Sequence, residues 1–280
     1  ARNGILHLRY AATAGLGNRL KKTVSYLRYY QPRHLNLYWP DKGWVNARFS
    51  DLFRPAWPIT YTEYNSPVQI NKFRYAEPLI PYVNEYALLI TRDDFADGKP
   101  FRIDTKYNQI PEHIRQIYRP YFAAIKPAPA VQKRIDVVRL PQNAVAVQVR
   151  NAPDWAAHGH NNEPAENFFT AMDKFPPDTV FFLSAMSAET AAPFHKRYTG
   201  RIFELPDKDY RSMVDAAADM FLLGCTKAAI YSYGSTFAEV GWWLGGAKSD
   251  VVIIGMDAPE KILIDNSQLR ILDSLPARDN

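Results

Sequence analysis

Three short stretches of the chain carry residue types suited to holding an anionic ligand. The first is Ala14-Gly15-Leu16-Gly17-Asn18-Arg19-Leu20. Its two glycines let backbone N–H groups approach a ligand closely, and Asn18 stands at a helix start, where it can cap the helix or touch a sugar. The stretch is not a complete G-x-G-x-x-G, because Leu20 takes the place of the third glycine, and a structural turn explains it equally well in isolation. The second is Val147-Gln148-Val149-Arg150-Asn151-Ala152-Pro153-Asp154-Trp155. An arginine leaving the end of a strand can grip a diphosphate with two parallel hydrogen bonds and stabilise charge developing on a leaving group. Asp154 can bind a sugar hydroxyl or accept a proton, although a plain Arg150–Asp154 ion pair is the competing reading. The third runs from Asp219 to Phe237. Ser232 ends a strand, Gly234 permits a tight turn, and Ser235 and Thr236 stand at the next helix N-terminus, where hydroxyls, free N–H groups and the helix dipole favour phosphate. A plain N-cap needs no ligand at all.

Other residues invite weaker readings. Asp207-Lys208-Asp209 has the D-x-D form that holds a divalent ion on a diphosphate, and an acidic cap on the helix starting at Ser212 explains it as well. His158 and His160 lack a third ligand and read as a polar loop, so no metal site is expected. Trp242 and Trp243 lie on an apolar helix and are expected in the core. Cys225, flanked by Leu222, Leu223 and Ala228, is expected to be buried and inert.

The elements that must position these residues show best in the second half. Ala144–Val149, Thr179–Leu183, Arg201–Leu205, Ala228–Tyr231 and Val251–Ile254 read as buried strands. Between them, helical spacing covers Phe168–Lys174, Ala188–Arg197, Ser212–Leu223 and Ser235–Leu244. Such alternation indicates βαβ units, a parallel sheet and a Rossmann-like layer. The first half opens alike: a strand at Ile5–Arg9, the glycine turn, a helix with Leu20, Val24 and Leu27 at i, i+4, i+7, and a strand at Leu35–Trp39. Pro40–Pro111 loses this pattern in Pro- and Tyr-rich sequence that reads as packed loops or an acceptor-binding surface. A helix over Glu112–Ile125 and an approach over Pro127–Pro141 follow, which places a domain boundary near Leu140. The expected domains are therefore 1–140 and 141–280.

With 280 residues, 47% hydrophobic and 22% charged, the chain buries a core, which excludes disordered, collagenous and coiled-coil classes. The single cysteine excludes an internal disulfide framework. No apolar stretch reaches the roughly 18–20 residues of a membrane span, and residues 1–10 lack signal-peptide features, so the expected compartment is the cytoplasm, free or at a membrane surface. Charge is uneven. Residues 1–140 hold 22 Lys and Arg against 11 Asp and Glu, a net +11, whereas the remainder carries −6. A basic half suits an anionic partner or peripheral contact with a membrane, or it is a solvated face. Its basic residues form no stripe and no nucleic-acid signature accompanies them, so nucleic acid is not an expected partner.

Taken in order, Gly-Leu-Gly-Asn-Arg-Leu after the first strand, Val-Gln-Val-Arg-Asn-Ala-Pro-Asp-Trp, and Asp219 to Phe237 resemble the GDP-fucose-dependent fucosyltransferase superfamily. That superfamily includes protein O-fucosyltransferases, α-1,6-fucosyltransferases and nodulation fucosyltransferases. The resemblance implies an α/β fold of GT-B type, two Rossmann-like domains facing each other across a cleft, with the donor held mainly by the second and the acceptor on the side of the first. It implies an inverting, metal-independent glycosyltransferase that moves fucose from GDP-fucose to a hydroxyl of a glycan, polysaccharide or glycoconjugate, with no cofactor. By position, Arg150 would bind the β-phosphate and assist GDP departure. Ser232, Ser235, Thr236 and Phe237 would hold diphosphate and nucleoside, and Gly15 and Gly17 would bind the donor from the facing loop. Asn18 would approach fucose or acceptor, Asp154 would bind near the donor, and Asp219 would serve structure. Gln148 stands where many members have histidine, and Asn151 where the α-1,6 branch has a second arginine. The base is unassigned among Asp154, His158 and Glu163. A transferase using another nucleotide sugar, or a catalytically silent nucleotide- or glycan-binding protein, would share these features.

Overall fold

The computed structural model describes residues 4–64, 88–91, 112–151, 162–255 and 269–272. Two compact units emerge. Among the described residues the first holds 4–64, 88–91, 112–128 and 269–272, and the second holds 129–151 and 162–255. The boundary expected at Leu140 thus falls inside the second unit, and a strand from the far end of the chain counts with the first.

The first unit begins with β1 (Ile5–Arg9), α1 (Leu16–Tyr30) and β2 (His34–Tyr38). Leu6 and Leu8 alternate with more exposed neighbours on β1, and Leu16, Leu20, Val24 and Leu27 form the buried stripe of α1. A short helix α2 (Phe49–Leu52), β3 (Phe53–Pro55) and β4 (Thr60–Tyr64) follow. β1, β2 and β4 make a parallel three-stranded sheet. β5 (Leu88–Thr91) pairs in parallel with β12 (Leu269–Leu272). After α3 (Glu112–Ala123), β6 (Ile125–Pro127) closes on β3 as an antiparallel pair. Phe49, entirely buried, gathers Trp39, Phe53, Trp57 and Tyr61 around its ring. Of the aromatics of the Pro- and Tyr-rich stretch that fall within 40–64, Phe49, Phe53 and Trp57 are therefore core, Tyr61 and Tyr64 are half-buried and Trp44 is exposed. The rest of that stretch, where acceptor specificity is expected, lies mainly outside the described residues.

The second unit comprises α4 (Pro129–Asp136), β7 (Val145–Val149), α5 (Ala165–Met172), β8 (Phe181–Ala185), α6 (Ala188–Arg197), β9 (Ile202–Phe203), α7 (Met213–Leu223), β10 (Ala228–Ser232), α8 (Thr236–Leu244) and β11 (Asp250–Ile254). Its five strands are all parallel, in the order β11-β10-β7-β8-β9. Every residue of β7 and β8 is buried, as an interior parallel strand covered on both faces requires. Val145, Val147 and Val149 enter one apolar cluster with Phe168, Phe181, Leu183 and Phe194, while α7 packs on β7 and β8.

This order decides where a ligand can sit. From β7 the chain builds outward through β8 and β9, then returns through α7 to lay β10 and β11 on β7's other side. The carboxyl ends of β7 and β10 flank the point where the connections part, which is where open α/β sheets bind ligands.

Three expectations need correction. Cys225 is exposed, because it follows the last turn of α7 while its leucine neighbours point inward. Asp207 and Asp209 do not cap the helix. Ser212, immediately before α7, does so by accepting the Asp215 N–H, and Asp209 accepts the Arg211 N–H. Asn18 does not cap α1, whose N-cap is Gly15. Trp242 and Trp243 are core residues, 1% and 0% exposed. Their indole N–H groups donate to the Ser249 carbonyl and Glu239 Oε1.

Candidate functional site

At the parting point two of the sequence motifs meet. Arg150 directly follows the last residue of β7, and its backbone N–H donates to Ser232 Oγ at the end of β10, 2.8 Å away. The same hydroxyl donates to the Gln148 carbonyl at 3.3 Å. Ser232 is 4% exposed, so its hydroxyl serves as a rivet between strand ends and fixes the backbone from which Arg150 projects. Gly234 then turns the chain at φ +66°, a conformation open to glycine. Ser235 caps α8 by accepting the Ala238 N–H at 3.3 Å. Thr236 and Phe237 form the first turn of α8, Thr236 buried and Phe237 half-buried. A helix N-terminus thus stands beside an arginine at a sheet's carboxyl edge, an arrangement that draws negative charge.

The side chains beneath are polar where an interior sheet should be apolar. Gln148 pairs in register with Ser184 of β8, so both lie on one face of the sheet. Ser184 Oγ donates to Asp219 Oδ2 of α7 at 2.8 Å. Lys208 Nζ donates to the same oxygen at 2.7 Å and reaches Glu204 Oε1 and the Ala185 carbonyl at 3.4 Å each. Asp219 is 2% exposed, and loss of water pushes its carboxyl up to about 6 despite the attraction of Lys208. Its other oxygen, Oδ1, is buried and has no hydrogen-bond partner among the described residues. Gln148 Oε1 and Asn151 Oδ1 are buried and unmatched too, while Asn151 Nδ2 donates to the Glu163 carbonyl at 2.8 Å. Each such orphan costs about 1–3 kcal/mol unless something outside the fold completes it. Three at one end of a sheet point to a polar ligand.

Glu163, one of the base candidates, also lies at this edge. Its Oε2 accepts from Asn167, and its carboxylate lies so close to Gly255, after β11, that a Cβ there would stand 2.7 Å from Oε1. Asp154, Trp155, His158 and His160 lie outside the described residues. No group of three or more His, Cys, Asp or Glu suited to a metal occurs among the described residues.

The glycine motif lies in the first unit. Gly15 has ordinary backbone angles, and a Cβ there would make only an ordinary 3.9 Å contact with Trp44, so neither strain nor crowding within the fold demands glycine at this position. Gly17 and Asn18 are the second and third residues of α1, the first buried and the second half-buried. Arg19, which sequence reasoning passed over, organises the loop. It is wholly buried, donates to the Ala14, Pro40 and Ala11 carbonyls at 2.9, 2.7 and 3.4 Å, and lies 4.9 Å from the centre of the Trp39 ring. Burial lowers its pKa to about 10, which leaves it charged at neutral pH. Lys208 and the orphan oxygens were missed as well. The charge of Asp219 inside the apolar run Ala216–Cys225 was the available signal that a buried partner had to exist.

No protein-family model and no curated protein matches this chain. Solved structures do. Fucosyltransferase NodZ from Bradyrhizobium aligns with a TM-score of 0.56 at 16% identity, over 94% of this chain and 98% of that one. Arabidopsis thaliana FUT1, a mutant in complex with GDP, gives 0.53 at 13% identity, over 89% of this chain and 69% of that one. POFUT1 in complex with GDP-fucose gives 0.54 at 11% identity, over 91% of this chain and 99% of that one. The α/β architecture with parallel sheets is therefore shared with fucosyltransferases of the GDP-fucose-dependent superfamily, the same group that the three sequence motifs resemble.

Proposed function

We propose that this protein is an inverting glycosyltransferase of GT-B type that moves fucose from GDP-fucose to a hydroxyl of a glycan or glycoconjugate. The observation that carries this reading is the joining of Arg150 and the α8 N-terminus through Ser232 at the sheet's parting point. A nucleoside diphosphate fits there. Arg150 and the N–H groups of α8 offer its phosphates positive charge, so the reading needs no metal ion on the diphosphate.

The base of the nucleotide follows from the orphan oxygens. An ionised Asp219 offers Oδ1 only as an acceptor. Guanine presents adjacent N1–H and N2–H donors on one edge, whereas uracil presents a single N–H between two carbonyls. Guanine therefore complements this carboxylate best, with the Gln148 amide free to supply either partner. In the reaction the acceptor oxygen attacks the anomeric carbon of fucose on the face opposite GDP. The bond from that carbon to the phosphate oxygen breaks, its electron pair leaves with GDP, and Arg150 stabilises the charge left on the β-phosphate. The acceptor proton passes to a base, for which Glu163 is the candidate among the described residues.

Nucleotide release from GDP-fucose, GDP-mannose and UDP-sugars, measured with and without EDTA, tests the reading. Release of GDP from GDP-fucose in EDTA supports it; release only from UDP-sugars with a divalent ion refutes it.

A further inference from the structure

Lys208 is the middle residue of the Asp-Lys-Asp triplet, and the proposed chemistry gives it no part. It is nonetheless among the most deeply committed groups at the site. Its side chain is 6% exposed, and its ammonium group donates to Asp219 Oδ2, Glu204 Oε1 and the carbonyl of Ala185, the last residue of β8. Burying an ammonium group is costly unless paired carboxylates and hydrogen bonds replace its water, and these contacts supply both.

Two of the contacts fix Asp219. Ser184 Oγ and Lys208 Nζ both donate to Oδ2, so both internal partners fall on one oxygen and Oδ1 is left over. Had the fold needed only a stable ion pair, sharing donors between the two oxygens would remove the orphan. We propose that Lys208 is a positioning residue: it holds Asp219 by one oxygen and keeps it charged, so that the other oxygen can accept the paired N–H groups of a guanine base. The proposal rests on the reading of this site as a guanine-nucleotide site.

The charge balance around Asp219 supports this role. Among the described residues, Lys208 is the cation in contact with it. Glu204 opposes its ionisation from the same segment and is itself held by His195 Nε2 at 2.7 Å and by the Tyr210 hydroxyl. One turn earlier on α7, Asp215 is bound by Arg134 of α4 through two hydrogen bonds, at 2.6 and 3.0 Å. Arg134 is thus engaged with Asp215. The facing groups of β7 and β8, Gln148 and Ser184, are uncharged, and Glu239 on α8 accepts from Trp243. The carboxyl already sits near 6 with the lysine present, so it would rise into the neutral range without it.

The test compares GDP and ADP binding by calorimetry from about pH 5 to about pH 8.5 in wild type, Lys208→Met, Lys208→Arg, His195→Gln and Asp219→Asn. The ratio of the two affinities cancels titration of the shared diphosphate. In wild type the preference for GDP should weaken as pH falls through about 6. In Lys208→Met that midpoint should move up by about one to two pH units, with about a two- to tenfold loss of preference at neutral pH and recovery in alkali. Lys208→Arg should keep the wild-type profile, and His195→Gln should leave the midpoint in place. Asp219→Asn should lose the preference at every pH, a check that stands if Lys208→Met does not fold. A Lys208→Met preference equal to wild type throughout, or lowered equally at every pH, overturns the proposal. So does an Asp219→Asn preference equal to wild type. A wild-type protein that binds no GDP refutes the functional reading itself, a distinguishable outcome.

Discussion

Replacing Ser232 with alanine isolates the rivet between β7 and β10. The hydroxyl accepts the Arg150 N–H at 2.8 Å and donates to the Gln148 carbonyl at 3.3 Å, in a position 4% exposed. Alanine fills nearly the same volume, so packing changes little. The Gln148 carbonyl loses a long, weak bond, but the Arg150 N–H, one residue past the end of β7, loses a short one. A buried donor left without a partner costs roughly 1–3 kcal/mol, against about 0.5–1.5 kcal/mol for the net worth of an ordinary hydrogen bond. We therefore expect Ser232→Ala to lower unfolding stability by roughly 1–3 kcal/mol in urea titrations, at unchanged m-value. Because the freed peptide carries Arg150, GDP affinity should also fall, by about three- to tenfold, which corresponds to roughly 0.7–1.4 kcal/mol. Wild-type stability together with wild-type GDP affinity would refute the reasoning, since neither strand end would then depend on the hydroxyl.

Further outcomes follow from other contacts. Gly241 of α8 faces α7 so closely that a Cβ would stand 2.8 Å from the Met220 carbonyl and 3.1 Å from Leu223 Cβ; Gly241→Ala should cost about 1–3 kcal/mol, read as a lowered melting temperature. Arg19→Lys cannot reproduce a guanidinium that bonds three carbonyls, so it should destabilise the first unit by about 2 kcal/mol or more while leaving GDP binding by calorimetry unchanged. Asp219 has a folded pKa of about 6, raised from 3.8. Its contribution to stability is thus present in acid and lost as pH rises through about 6, and Asp219→Asn should remove that part of the slope in denaturant titrations between about pH 4 and about pH 6.

The second unit was legible because its strands are apolar runs and its helices carry their own start signals. Ser235 reads as a cap from its place in the sequence and accepts the expected backbone N–H, whereas at α7 an acidic cap was expected and Ser212 takes that place. In the first unit, β4 reads Thr-Tyr-Thr-Glu-Tyr and has no buried position, so no apolar alternation announces it; its pairing with β2 defines it. β12 pairs with β5 across most of the chain, a contact that no local pattern encodes. At the site, motif residues were easy to find and their roles harder to assign. Ser232 reads as a phosphate ligand from its place after a strand, yet its hydroxyl is occupied on both sides. Lys208 and Arg19 were invisible because a charged residue ordinarily reads as solvent-exposed, and only three-dimensional partners show that these two are buried. Cys225 misled in the opposite direction, since leucine neighbours in sequence do not fix which way a residue in a turn points.

The central claim is that Arg150 and the start of α8 hold the diphosphate of a guanine nucleotide sugar. Calorimetric titration of GDP-fucose and of UDP-sugars into wild type and Arg150→Ala, each with EDTA, tests it most directly. Saturable GDP-fucose binding in EDTA is expected, weakened at least about a hundredfold in the variant by loss of a charge-assisted bidentate contact. Equal GDP-fucose affinity in the two proteins, or binding of UDP-sugars that requires a divalent ion, would contradict it.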